Sequence, residues 1–114
     1  MQIIDKKIPV AELKAMAKKM FGNLVKAVVD VRLRTIAIDA ELHADEESLL
    51  LENGSKQEDV WGINMYPDMP RQGPDFIEFD SMINLRPSQN NRSRGVENKE
   101  IRDKIVSIVN ELIE

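Results

Sequence analysis

The chain has 114 residues, of which 42% are hydrophobic and 32% charged, with a formal net charge of −4 and no cysteine. This composition is typical of a globular protein with a single domain, residues 1–114, and the lack of cysteine excludes disulfides and thiolate chemistry. The first ten residues, MQIIDKKIPV, place an acid and two lysines where a signal peptide has its apolar core, and no stretch reaches the length of a membrane span. We therefore expect a cytoplasmic protein that does not enter a membrane.

The charged residues are segregated along the chain. Residues 1–37 carry eight basic and three acidic side chains, residues 38–80 carry two basic and twelve acidic ones, and residues 81–114 carry six basic and five acidic ones. Such blocks give a protein surface a dipole unless the fold brings them together. We expect the blocks to neutralise one another in the folded chain.

Three segments have the apolar pattern of a helix. Apolar residues recur at steps of three and four in residues 10–24 and again in residues 101–113, which predicts one-sided helices at both ends of the chain. Pro9 suits the first position of the N-terminal helix, and Asn98 is a candidate N-cap for the C-terminal one. The segment ADEESLLLENG, with acids at its start and a glycine at its end, predicts a short middle helix.

A first hairpin is predicted from the segments VKAVVDV and TIAIDAEL, which alternate apolar and other side chains. The register that keeps the apolar residues on one face pairs Val29 with Ile38. The same register places Lys26 opposite Glu41, a favourable cross-strand pair, and a slip by one residue destroys the arrangement. The connecting loop has two or four residues.

A second hairpin is predicted between residues 61–66 and 76–85, which again alternate apolar and polar side chains. The connection PDMPRQGPD contains three prolines and one glycine, as loops do. We predict that Met65 faces Ile77 and that Tyr66 meets Phe76 where the loop begins.

The order of these elements is helix, hairpin, short helix, hairpin, helix. It predicts an α+β domain in two layers, in which a four-stranded, mainly antiparallel sheet of two hairpins packs its apolar face against N-terminal, short middle and C-terminal helices. The other face of the sheet is then polar and open to solvent. Because both terminal helices are strongly one-sided, a homodimer formed through a leftover apolar stripe is an alternative to a monomer.

The expected open face carries residue types that bind metal ions. If the second strand continues to residue 43, Asp39, Glu41 and His43 project from it in a row, and Asp80 lies on the other hairpin. Oxygen-rich clusters with one imidazole suit Mg, Mn or Fe-type ions, as in hydrolytic metal sites. The competing interpretation is an ordinary solvated face, with His43 capping the next helix or titrating in solvent. No established metal-binding spacing is present, so a divalent metal is an alternative and no cofactor is predicted.

The segment RPSQNNRSRG, residues 86–95, places three arginines in a loop before the last helix. Guanidinium groups match the oxygens of phosphates and carboxylates two at a time, and neutral side chains add further donors. The candidate anion-binding residues are Arg86, Ser88, Asn90, Asn91, Arg92 and Arg94. The competing interpretation is a structural loop whose arginines pair with the acidic central block, because Glu97 and Glu100 at the helix start compete with any bound anion.

Known catalytic motifs are absent, since the chain has no G-x-S-x-G, no H-E-x-x-H and no cysteine. The leading hypothesis is therefore a small interaction or anion-binding domain, whose partner is a phosphate-bearing ligand, a nucleic-acid backbone or an acidic protein segment. The alternative is a metal-dependent phosphoester hydrolase, in which the acidic sheet face holds the ion and the arginines hold the phosphate. The alternative requires the acidic face and the arginine loop to share one cleft, so the sequence leaves open whether the protein is an enzyme.

Several long strings of the sequence are similar to one protein family. VWGINMYPD, FIEFDSMINLRPSQNNRSRGVENKEIRDKI, VKAVVDV and DAELHADEESLLLENGSKQED resemble a family of small prokaryotic proteins classed as a domain of unknown function. The resemblance covers nearly the whole chain and implies an uncharacterised protein. It implies no activity, cofactor or site residue.

Overall fold

The chain forms three helices and one five-stranded sheet, in a computed structural model that describes residues 1–114. The helices are α1 (Val10–Lys19), α2 (His43–Glu52) and α3 (Lys99–Leu112). The strands are β1 (Gln2–Ile4), β2 (Val25–Asp30), β3 (Thr35–Ile38), β4 (Val60–Met65) and β5 (Ile77–Glu78). All neighbouring strands are antiparallel, and their order in the sheet is β1-β3-β2-β4-β5.

The helix ends follow local sequence signals. The Asn98 side chain accepts hydrogen bonds from the backbone N–H groups of Glu100 and Ile101 at 2.8 and 3.3 Å, so the predicted N-cap of α3 is confirmed. Pro9 is the N-cap of α1 and not its first helical residue. After α1 the chain turns at Gly22, whose φ of 90° is the left-handed conformation that glycine adopts at low cost.

The first hairpin forms with a register two residues away from the predicted one. Val29 pairs with Ile36 and not with Ile38, because the turn consists of residues 31–34 and is centred one residue earlier than the predicted register requires. The Asp30 carboxylate holds that turn, since its Oδ1 accepts hydrogen bonds from two backbone N–H groups inside it, each at 2.8 Å. A shift by two residues keeps every side chain on its predicted face.

The second hairpin is confirmed at the residues next to its loop. Met65 pairs with Ile77, and the backbone N–H of Tyr66 donates to the carbonyl of Phe76 at 2.8 Å. The strand predicted to continue through residue 85 is wrong, because β5 ends at Glu78 and residues 82–84 form a 3₁₀ turn.

The Asn84 side chain makes the hydrogen bonds to β4 that the predicted strand would have made there. Its Oδ1 accepts from the backbone N–H of Gly62 and its Nδ2 donates to the Gly62 carbonyl, both at 2.9 Å, as a neighbouring strand does. The buried Ser81 lies against Gly62 so closely that a Cβ atom there would meet the Ser81 side chain at 2.6 Å. The turn therefore depends on a glycine in β4.

The strand β1 adds a fifth strand to the four predicted. It is three residues long and pairs with β3, with Ile4 opposite Ile36. A segment this short gives no periodic signal, so the sequence analysis did not find it.

The helices cover both faces of the sheet, so the predicted two-layer arrangement with one open face is wrong. The larger core lies between the sheet and α1 and α3 and contains 19 buried residues. On the opposite face Leu50 of α2 packs with Val28, Ala37 and Val60 from the three central strands. The domain therefore has three layers, with α2 alone as the third.

The apolar stripe of α3 is used within the chain. Its residues Ile105, Ile108, Val109 and Leu112 are buried in the larger core. The homodimer that the sequence left open as an alternative therefore has no leftover stripe on this helix to form it. None of the three helices combines the length and apolar composition needed to cross a bilayer.

The charged blocks neutralise one another as expected. Six ion pairs are present, and four of them join an acid from residues 38–80 to a cation from a flanking block. These four pairs are the N-terminal amine with Asp39, Arg32 with Asp59, Arg86 with Glu47, and Arg94 with Asp80.

Candidate functional site

Arg86, the first arginine of the 86–95 loop, is part of the protein interior. It is 8% exposed and its guanidinium lies 4.5 Å from the centre of the Trp61 ring. It donates hydrogen bonds to three backbone carbonyls, those of Gln57 at 2.8 Å, Ile83 at 3.0 Å and Val60. Arg86 therefore binds the chain itself and fixes the start of the loop.

Asn91 organises the middle of the loop. It is buried, its Nδ2 donates to the carbonyls of Asn84 and Gly95 at 2.7 and 2.8 Å, and its Oδ1 accepts from the N–H of Glu97 at 2.9 Å. The neighbouring Asn90 is exposed and has φ 60°, a left-handed conformation that asparagine tolerates. Ser88, also predicted to bind an anion, is exposed on the preceding 3₁₀ turn.

The loop already holds a carboxylate that the chain supplies. The Glu97 Oε2 accepts a hydrogen bond from the backbone N–H of Arg92 at 2.6 Å. This bond, together with hydrogen bonds from Ser93, lowers the pKa of Glu97. The guanidinium of Arg92 is exposed and makes no hydrogen bond within the chain.

Arg94 connects the loop to the sheet. Its Nε donates to Asp80 Oδ1 at 2.6 Å, and both side chains remain about half exposed. The terminal nitrogens of its guanidinium make no hydrogen bond within the chain. Arg94 is therefore held in place while part of its donor capacity stays available.

A cleft of about 210 Å³ lies between the start of α2 and the 81–83 segment. Four polar residues and four apolar residues line it. The polar ones are Lys26, His43, Ser81 and Arg94. The apolar ones are Leu42, Ala44, Met82 and Ile83. The cleft thus combines one arginine of the loop with a lysine of β2 and the single histidine.

Lys26 has no carboxylate partner in the fold. It pairs across the sheet with Asn64 of β4, and not with Glu41 as predicted, because β3 ends before residue 41. No acid lies within ion-pair distance of its Nζ, which lies 5.0 Å from the centre of the Phe21 ring. Lys26 is half-buried, and its amine is therefore free to bind a ligand.

His43 begins α2 and does not extend a strand. Its Nε2 lies 2.7 Å from the carbonyl oxygen of Ile63, and because a carbonyl only accepts, Nε2 carries the proton. Burial lowers the pKa of His43, assisted by the charges of Lys26 and Arg94 and opposed by this hydrogen bond and by Asp80. At neutral pH the imidazole is therefore uncharged.

The residues predicted to bind metal do not form a row. The strand β3 ends at Ile38, the chain turns at Asp39 with φ 70°, and Glu41 is exposed. No group of three or more histidine, cysteine, aspartate or glutamate side chains is close enough to hold a metal ion. His43 and Arg94 do share one cleft, and Asp80 contacts that arginine.

Two larger clefts flank the 67–76 loop, and each contains a polar side chain that is hydrogen-bonded within the chain. In the cleft of about 450 Å³, Arg71 donates to backbone carbonyls at the end of α3. In the cleft of about 360 Å³, the Tyr66 hydroxyl donates to Glu78 at 2.9 Å. In the cleft at α2, by contrast, the Lys26 amine has neither an acidic partner nor a hydrogen bond within the chain.

Lys26, Leu42, Ser81 and Met82 were not predicted from the sequence to line a cleft. Alternation assigned Lys26 to a cross-strand ion pair and residues 81–85 to a strand. One local signal was available, because α2 has Leu42 at its N-cap, where residues with side-chain acceptors are preferred. An apolar N-cap indicates a helix start without a side-chain cap.

A family model described as protein of unknown function, DUF5674, matches residues 2–112. The matched range includes all five strands, all three helices and every residue of the cleft at α2. No curated protein and no solved structure matches the chain. The chain therefore belongs to the DUF5674 family, a family of unknown function.

Proposed function

We propose that the protein is a small anion-binding domain whose ligand carries a phosphate or carboxylate group and binds in the cleft at α2. The observation that supports this most is that two cations, Lys26 and Arg94, line one cleft in a chain whose net charge is −4. Positively charged nitrogen donors that converge in a concave site are the usual recognition elements for such groups.

The two cations have donors to offer. Lys26 has three N–H donors and no carboxylate within ion-pair distance, so these donors are available to a bound anion. Arg94 is fixed by Asp80 through Nε alone, which leaves its terminal nitrogens for a ligand. A positioned guanidinium loses less conformational entropy on binding than a free one.

The start of α2 adds to this attraction. No side chain caps the helix, so its first backbone N–H groups can donate to an anion. Asp45 in the first turn opposes an anion there, as any acid at a helix start does. Glu46, the other acid of that turn, does not, because burial raises its pKa to about 9 and it is uncharged at neutral pH.

The 86–95 loop contributes to this function through two kinds of residue. Arg86 and Asn91 hold the loop's conformation, while Arg94 reaches the cleft. Arg92 is exposed with an unpaired guanidinium, and we propose that it attracts anions over a longer range.

Calorimetric titration with inorganic phosphate and sulfate, at low and at high salt, tests the proposal. We expect Lys26→Met and Arg94→Gln each to weaken phosphate binding at least tenfold, and salt to weaken binding to the unmodified protein. Arg34→Gln is the matched control, because Arg34 is also about half exposed and also forms a 2.6 Å ion pair, with Glu111. Equal losses from Arg94→Gln and Arg34→Gln indicate non-specific attraction and refute the proposed site.

A further inference from the structure

The cleft at α2 has an unusually exposed apolar wall. Met82 and Leu42 are 62% and 55% exposed, and apart from the N-terminal residue no other large hydrophobic side chain of the chain is as exposed. Single exposed hydrophobic residues are normal, but these two line the same cleft, together with Ala44 and Ile83. Exposure concentrated at one concave site indicates a ligand that covers it.

The apolar wall and the cations belong to one site. Lys26 and Arg94 line the cleft with Leu42 and Met82, and the Lys26 amine lies 5.0 Å from the Phe21 ring, which is itself exposed. Ligand sites are usually lined by apolar side chains with a few placed polar groups. An inorganic anion contacts the polar groups alone and leaves the apolar wall in water. Its binding therefore does not explain why half of the lining residues are apolar.

The size of the cleft limits the ligand. Its volume of about 210 Å³ lies below the range of about 300–1,000 Å³ for sites that take drug-sized ligands. At about 30 Å³ for each water molecule, the space equals that of about seven waters. Such a space holds a charged head and one small apolar group.

We infer that the ligand is a small organic anion. Its phosphate or carboxylate head contacts Lys26 and Arg94, and its apolar body, the size of one aromatic ring or a short alkyl chain, lies against Leu42 and Met82. This inference rests on the proposed anion-binding function for the charged head, and adds the apolar body.

Matched pairs of probes separate the two parts of the ligand. Titration calorimetry at neutral pH compares phenyl phosphate with inorganic phosphate, and benzoate with acetate. We expect the aromatic member of at least one pair to bind at least tenfold more tightly than its small partner, and the pair that binds more tightly identifies the preferred head group.

Two variants locate the apolar contact. Leu42→Ala and Met82→Ala are each expected to reduce the aromatic advantage, the ratio of the affinities for phenyl phosphate and inorganic phosphate, to threefold or less. Alanine is used because serine at residue 42 would cap α2 and occupy its free N–H groups. Leu33→Ala is the control, because Leu33 is similarly exposed but lies in the turn between β2 and β3, outside the cleft.

The possible results distinguish the inference from the proposed function. If phenyl phosphate and benzoate bind no more tightly than phosphate and acetate, the inference is overturned and the proposed function stands. If none of the four probes binds, both are overturned. If Leu33→Ala removes the aromatic advantage as fully as Leu42→Ala does, the apolar contact lies elsewhere and the inference is overturned.

Discussion

Replacing Glu46 with glutamine is expected to stabilise the protein at neutral and basic pH. Glu46, in the first turn of α2, is fully buried, and neither of its carboxylate oxygens has a well-formed hydrogen bond. Burial raises the pKa of Glu46 to about 9, and the backbone of Ala40 and the charge of Lys26 oppose this effect only in part. Glutamine has nearly the same shape and no charge to bury.

The magnitude follows from proton linkage. In the unfolded chain this carboxyl group ionises near pH 4.5, so between pH 4.5 and about 9 the folded state keeps a proton that the unfolded state has lost. Raising the pH through this window therefore lowers the free energy of unfolding, by about 1.36 kcal/mol per pH unit. Between pH 5 and pH 8 the loss due to Glu46 amounts to about 4 kcal/mol.

Urea denaturation followed by tryptophan fluorescence measures this effect, because Trp61 is the single tryptophan and is buried in the core. The unmodified protein and Glu46→Gln should be similar in stability at pH 5, and the variant should be more stable by about 4 kcal/mol at pH 8. The groups that face Glu46, namely Lys26, Asp39 and the N-terminal amine, are the same in both proteins, so the difference isolates this carboxyl group. Glu52→Gln, an exposed position on the same helix, is the control. Parallel pH profiles for the unmodified protein and Glu46→Gln would refute the reasoning.

Three further predictions test the fold and the metal hypothesis. Gly62→Ala should lower the free energy of unfolding by about 2 kcal/mol, because its Cβ would meet the Ser81 side chain at 2.6 Å, and adding Ser81→Gly should restore part of the loss in chemical denaturation; no loss contradicts the close approach. Arg71→Met should cost about 1–3 kcal/mol in the same assay, because Arg71 donates to carbonyls in the last turn of α3, and an unchanged midpoint argues against this cap. Mg, Mn, Ca, Zn and Fe(II) ions should leave the thermal midpoint unchanged, because no three ligands converge, whereas a midpoint raised by one of them revives the metal-dependent alternative.

The face of each central strand that meets α1 and α3 was predictable from the sequence, although the pairing was not. The side chains of Val29, Ile36 and Ile38 all lie in the larger core as predicted. The register was wrong because the Asp30 carboxylate stabilises a four-residue turn, and such local hydrogen bonds are not visible in the apolar pattern. Since the error was an even number of residues, the faces survived it.

The second face of the sheet was misjudged because its apolar residues are few. Val28 and Ala37 lie between residues that point to the larger core, and alternation treated that face as polar. Strands buried on both faces carry apolar residues at successive positions, as in residues 27–29 of this chain. The run AVV was therefore the signal that a helix covers this face.

The role of the arginine loop could be predicted only in part, because the sequence shows which side chains can donate hydrogen bonds but not which groups accept them. Arg86 stacks on Trp61, 25 positions away in the sequence, and donates to carbonyls that two different segments bring to it. The competition from Glu97 was expected, and its carboxylate does accept from the loop backbone. What no local pattern could show is that Arg94 and His43 meet in one cleft.

The cleft at α2 follows from the proportions of the third layer. A ten-residue helix is about 15 Å long and about 10 Å across, whereas five strands at about 4.8 Å spacing make a sheet about 19 Å wide between its edge strands. The helix therefore covers only part of the second face. The 79–95 segment covers another part, because Ser81 lies against Gly62 and the Asn84 side chain is hydrogen-bonded to β4. A gap, the cleft at α2, is left as a seam between the helix and this segment.

Lys26 points to this face of the sheet because Val28, two residues along the same strand, does so. Alternation along β2 thus directs Lys26 into the seam, and the early end of β3 leaves it without its predicted acidic partner, so we propose that a ligand supplies the negative charge.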